Sequence, residues 1–200
     1  MILATRNEHK VGELADILSD VLASTCRELV GVSEFDLDDV VESGVTFAQN
    51  ALLKARATAQ ATGLPALADD SGLAVDVLGG SPGIFSARWS GTHGDDANNN
   101  ALLLAQLADV PDEHRAARFV CAAALVLPDG TEVVREGQAR GTLLRAPRGD
   151  GGFGYDPLLL MPDGRSLAEY SSPEKHAISH RGAAFRALAD DVSRLLPASP

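Results

Sequence analysis

The chain has 200 residues, a net charge of −11, and 45% apolar and 22% charged residues. That composition fits one ordinary globular domain, at about 100–200 residues per domain. The acidic balance with no basic stripe excludes a nucleic-acid backbone as partner, and the longest apolar run, residues 121–127, is too short to cross a membrane. Two cysteines, Cys26 and Cys121, stand far apart and outside any C-x-x-C pattern. They predict a reduced, cytoplasmic chain with both thiols in or near the core.

Residues 1–5 read as a short buried strand. A polar loop of residues 6–10 follows, and then apolar positions at helical spacing from Val11 to Leu22. Residues 28–32 form a second strand. Thr46 and Gln49 have capping-box spacing, so a helix runs from there to about Thr62 and stops at Gly63. Residues 65–70 and 73–78 read as two strands, residues 79–83 as a turn, and 95–107 as a helix. Residues 119–127 and 131–141 are two long strands joined by a Pro128-Asp129-Gly130 turn. A glycine-rich segment covers 149–154, and 179–196 is the last helix. Strands alternating with helices, followed by longer antiparallel strands, predict a mixed α/β sheet flanked by helices.

Chemistry concentrates in five segments. The chain holds fourteen arginines and only three lysines, Lys10, Lys54 and Lys175. Where lysine persists in so Arg-biased a composition, a compact ammonium suits phosphate oxygens. The loop Thr5-Arg6-Asn7-Glu8-His9-Lys10 lies after a strand and before a helix, where free amides and the helix dipole favour an anion; plain capping by Thr5 or Asn7 explains the same residues. Asn50 and Lys54 share one helix face. Asp69 and Asp70 end an apolar strand. Adjacent carboxylates there suit Mg²⁺ or a general base, and strand geometry sends them to opposite sides, so that one binds and the other braces; the alternative is a turn opened by aspartate. Phe153 stands between glycines, placed to stack on a flat ligand or to plug a turn. His180 and Arg181 fall in the first turn of a helix, where positive charge opposes the dipole and calls for a ligand or an acidic partner.

The stretches LATRNEHK, FAQNALLKA, ALADDSGLAVDVLGGSPGIFSARWSG, GGFGYDPL and EKHAISHRGAA, in that order, closely resemble the inosine/xanthosine triphosphate pyrophosphatase family. The resemblance spans residues 3–184. It implies a single elongated α/β domain over 1–200, with two lobes around a central substrate cleft, usually a homodimer. It implies Mg²⁺-dependent hydrolysis of dITP, ITP and XTP, non-standard purine nucleoside triphosphates, to monophosphate and pyrophosphate, with no nucleic-acid or membrane partner. Carried over, Thr5, Arg6, Asn7, Glu8, His9 and Lys10 bind the triphosphate with help from Lys54. Asp70 is the proton acceptor and a metal ligand, with Asp69 and Glu42 as further ligands. Ser71 touches the substrate. Phe153, Gly154, Tyr155 and Asp156 hold the nucleoside, and Lys175, His180 and Arg181 contact the base. The family usually has Gly at Arg6, Glu at Gln49, and a pair of acids where this chain has Val41-Glu42. The rival readings are a non-catalytic nucleotide-binding module and a pyrophosphatase for modified pyrimidine triphosphates.

Overall fold

The computed structural model describes residues 1–198, apart from the side chains of Glu8 and His9. The strands are β1 (Ile2–Leu3), β2 (Val30–Gly31), β3 (Ala66–Val75), β4 (Ala116–Val126), β5 (Glu132–Leu143) and β6 (Leu159–Leu160). The α-helices are α1 (Glu8–Ile17), α2 (Ser19–Ser24), α3 (Phe47–Thr62), α4 (Asp96–Gln106), α5 (Ser172–Ile178) and α6 (His180–Leu195). The sheet order is β2-β1-β3-β4-β5-β6. β1 runs parallel to β2 and β3, with Ile2 opposite Val30 and Ala66, whereas β5 and β6 are antiparallel. The sheet is thus mixed, as expected. The chain divides into two compact units, the first made of Met1–Asp70, Cys121–Gly137 and Ser179–Pro200, the second of Ser71–Val120 and Gln138–Ile178.

In the first unit the period-two alternation of β3 and β4 builds two cores. Leu67, Cys121, Ala123, Leu125 and Leu127 pack on one side with Leu14 and Leu18 and with Ala184, Phe185, Leu188 and Val192 of α6. Ala66, Ala68, Ala122, Ala124 and Val126 pack on the other with Ala51, Ala55 and Ala59 of α3. These three alanines recur every four residues, and with alanines facing them α3 lies close to the strands. Its ends follow local rules: Thr46 Oγ1 accepts from the Gln49 N–H at 3.2 Å, and Gly63 closes it at φ +66°. Gln49 Oε1 accepts from Val45 N–H rather than from the cap residue itself.

In the second unit Leu73 and Val75 of β3 pack with Leu103 of α4, with Leu107 just after it, and with Tyr155, Leu158 and Leu159. Arg115 is fully buried; it donates to the carbonyls of Leu107, Leu143 and Leu144, and so ties the end of α4 to the strand region beside it.

Several expectations are corrected. Ala66–Val75 form one strand through Ser71-Gly72, not two, and Asp76–Leu78 turn off it as a short 3-10 helix. Gly72 is needed for close approach: a Cβ there would lie 2.4 Å from Ser86 Oγ, which accepts from the Leu73 N–H at 2.9 Å. The first helix is divided at Leu18, although the Leu18 and Leu22 N–H groups keep their bonds four residues back. Cys121 is buried but Cys26 is exposed, because it leaves α2 at φ +52°. Helix α5 and strand β6 were not foreseen.

Candidate active site

The acids at the centre of β3 continue its alternation. Asp69 follows Leu67 toward α1 and α6, and Asp70 follows Ala66 and Ala68 toward α3. Each meets its own set of partners within the first unit.

Asp69 is 2% exposed at its side chain and accepts from Lys10 Nζ at 3.1 Å on both oxygens and from Arg181 Nε at 3.3 Å. Burial alone would push its carboxyl up, but Lys10, Arg181 and Lys54 outweigh it and hold Asp69 well below the usual carboxylate range. Arg181, 4% exposed, also donates from Nη1 to Glu13 Oε2 at 3.1 Å. The positive charge in the first turn of α6 therefore has two acidic partners, and a surface His-Arg pair is ruled out, since His180 is buried as well. Ser179 caps that helix by accepting from the Gly182 N–H at 2.9 Å.

Asp70 accepts from Asn50 Nδ2 at 3.0 Å, and Lys54 Nζ lies 3.8 Å from its other oxygen. The same ammonium donates to Glu42 Oε1 at 2.5 Å. Asn50 Oδ1 in turn accepts from the Gly44 N–H at 2.8 Å, which fixes the loop that carries Glu42. One ammonium serves two carboxylates here. Burial opposes the Lys54 charge, yet Asp70, Glu42 and Asp69 together hold it above its ordinary value. Asp70 gains less than it loses: burial pushes it up, Glu42 and Asp69 add to the rise, and Lys54 and Asn50 only partly offset it.

These contacts test the fit of a metal. Glu42 and Asp70 face a common cation, the Lys54 ammonium, so the pair suits Mg²⁺, which takes one or two carboxylates and completes its shell with water and phosphate. Asp69 is engaged with Lys10 and Arg181, and no group of three His, Cys, Asp or Glu side chains converges among the described residues.

In the loop before α1, Asn7 Oδ1 accepts from the Lys10 N–H and Thr5 Oγ1 from the Asn7 N–H, both at 3.2 Å, so Asn7 caps the helix. Arg6 Nε reaches Asp39 at 3.0 Å. The assignments to Glu8 and His9 lie outside the described residues.

In the second unit Phe153 is 59% exposed. Asp156, buried, accepts with Oδ2 from the Phe153 N–H at 2.8 Å and from Lys175 Nζ at 2.5 Å. That ammonium lies 4.7 Å from the centre of the Phe153 ring. Gly152 is required at φ +75°, since a Cβ would fall 2.2 Å from Asp156 Oδ2. Tyr155 is a core anchor whose hydroxyl donates to the Ser86 carbonyl at 2.9 Å. Ser71 lies in β3, partly exposed.

The expected residues therefore gather in two groups: Lys10, Glu42, Lys54, Asp69, Asp70, His180 and Arg181 in the first unit, and Ser71, Phe153, Gly154, Tyr155, Asp156 and Lys175 in the second. Asn50 acquires a definite role. Glu13 was missed; its one local signal is its place on α1 three residues after Lys10.

A family model described as the Ham1 family matches residues 1–191. A Streptomyces coelicolor protein named dITP/XTP pyrophosphatase is 63% identical over 199 residues, covering 98% of each chain. A solved structure of a HAM1 protein from Coxiella burnetii superposes with a TM-score of 0.88 at 39% identity, covering 96% of this chain and 98% of that one. A crystal structure of a nucleoside-triphosphatase / dITP/XTP pyrophosphatase from Mycobacterium abscessus gives 0.78 at 52% identity, covering 96% and 97%.

Proposed function

The chain belongs to the Ham1 family, and on that premise we propose that it hydrolyses dITP, ITP and XTP to the nucleoside monophosphate and pyrophosphate. The relatives' activity supports the reaction class, and the observation that carries it to this chain is the divided pair at the centre of β3. Asp69 is locked among cations, while Asp70 keeps a raised proton affinity beside Lys54 and Asn50.

Asp70 orients a water for in-line attack on the α-phosphorus and takes its proton. Lys10 and Lys54 offset the charge that builds on the phosphate oxygens and on the leaving pyrophosphate. Asp69 and Glu13 hold Arg181, and Asp69 also aims Lys10. Glu42 and Asp70 would hold Mg²⁺, which when bound supplies Lewis-acid neutralisation of the phosphate charge. Phe153 stacks on the base, with Lys175 beside it. Donors from His180 and Arg181 face O6 of hypoxanthine or xanthine, where adenine presents an amino group instead. A mismatch of donor against donor leaves buried groups unpaired, which discriminates by about 10⁴ or more.

The experiment is product analysis with dITP as substrate. Pyrophosphate with 2′-deoxyinosine monophosphate is expected in Mg²⁺ and no product in excess EDTA; orthophosphate as the only phosphate product would contradict attack at the α-phosphorus. A cytoplasmic homodimer belongs to the same proposal, and a monomeric mass in solution would contradict the dimer.

A further inference from the structure

Phe153 is a large apolar ring left mostly in water, yet the backbone around it is fastened at three points. Its own N–H is held by Asp156. The other two fastenings fall on the next residue, Gly154, and come from α4. Asp96 Oδ2 accepts from the Gly154 N–H at 2.7 Å, and Asn100 Nδ2 donates to the Gly154 carbonyl at 2.9 Å. Asp96 and Asn100 are four apart, so they rise from one face of the helix, one turn from each other. The helix is itself anchored: Leu103 and Leu107 are fully buried, and Arg115 binds the carbonyl at its end. Both polar backbone groups of a glycine at φ +61° are thus gripped from a rigid element.

A loop that only needed to turn would not need its N–H and carbonyl both claimed by a helix 54 or more residues away in sequence. Immobilising an exposed ring in advance removes an ordering cost from ligand binding.

We propose that Asp96 and Asn100 are positioning residues for base recognition, a two-point clamp that acts through Gly154 to fix the Phe153 ring in its stacking pose. The inference rests on the nucleotide-binding reading of Phe153 given above. The clamp touches neither phosphate nor the reacting atoms, so its effect is confined to ligands that carry a base.

The test is calorimetric binding of inosine monophosphate and of inorganic pyrophosphate to the full chain, with melting curves to confirm folding. Asp96→Ala and Asn100→Ala are each expected to weaken inosine monophosphate about tenfold, as for loss of one charged or well-aligned hydrogen bond, and to change pyrophosphate less than about twofold. Phe153→Ala, which removes the platform itself, is expected to weaken inosine monophosphate by at least as much, about tenfold to a hundredfold. Asp96→Asn keeps an acceptor for the Gly154 N–H and is expected to recover most of the affinity lost in Asp96→Ala. Unchanged nucleotide affinity in both alanine variants, equal loss for both ligands, or an Asp96→Asn as weak as Asp96→Ala would each overturn the clamp. Turnover of dITP by the unaltered chain is read separately, so failure of the functional reading is distinguishable from failure of the clamp.

Discussion

Asp70→Asn is expected to lower kcat on dITP by about 10³-fold or more, within the range a general base contributes together with its charge, while nucleotide affinity changes little. Asparagine keeps the shape and one oxygen but cannot take a proton. The surrounding groups mark Asp70 rather than Asp69 as the acceptor. They are acids on adjacent residues, Asp69 buried and Asp70 partly so, yet Asp69 has Lys10 and Arg181 against it and Asp70 shares one ammonium with Glu42. Environment alone separates their roles, one fixed as an anion and the other raised toward proton uptake. Single-turnover kinetics with a separate binding measurement checks this. Full activity in the variant would remove Asp70 from the chemistry, and lost binding with normal turnover at saturation would make it a binding residue only.

Asp69→Asn is expected to destabilise the fold by about 3 kcal/mol, the low end for breaking a buried pair, because Glu13 still compensates Arg181 and Lys10 can turn to solvent. At about 2–4 °C per kcal/mol for a chain this size, the melting temperature falls by roughly 6–12 °C. The cause is the guanidinium, 4% exposed, left facing an amide. Replacing both partners, Asp69→Leu with Arg181→Met, is expected to recover only part of the stability, since an apolar pair carries no desolvation cost but Glu13 loses the Arg181 guanidinium. Activity is not expected to return, because Lys10 has lost the carboxylate that aims it. Thermal melts with a pyrophosphate assay on both variants check this. A double variant that regains activity would show that the network is only structural.

Much of this was legible in the sequence because the signals are local. The Thr46 cap and the Gly63 stop fix α3 to the residue. Period two in β3 separates Asp69 from Asp70, and the dipole argument at α6 demands the acidic partner that Arg181 has. The misses share a physical cause. Ser71-Gly72 reads as a turn from local preference, but the glycine is there for Ser86, thirteen residues on from Leu73. Glu13 meets Arg181 across 168 residues, and Asp96 meets Gly154 across 58; no window of sequence contains both partners. Helix α5 is seven residues with no buried face, too short for periodicity to register. Cys26 is exposed by the backbone turn after α2, which the burial habit of free cysteine does not anticipate.

Pyrophosphate release from a panel of dITP, XTP, dATP, dGTP, dUTP and dTTP under one Mg²⁺ concentration measures the proposed purine specificity directly. kcat/KM for dITP and XTP is expected to lie well above all four others, with dATP lower by about 10⁴ from the donor mismatch at position 6. Equal rates across the panel, or preference for the pyrimidines, would contradict that specificity.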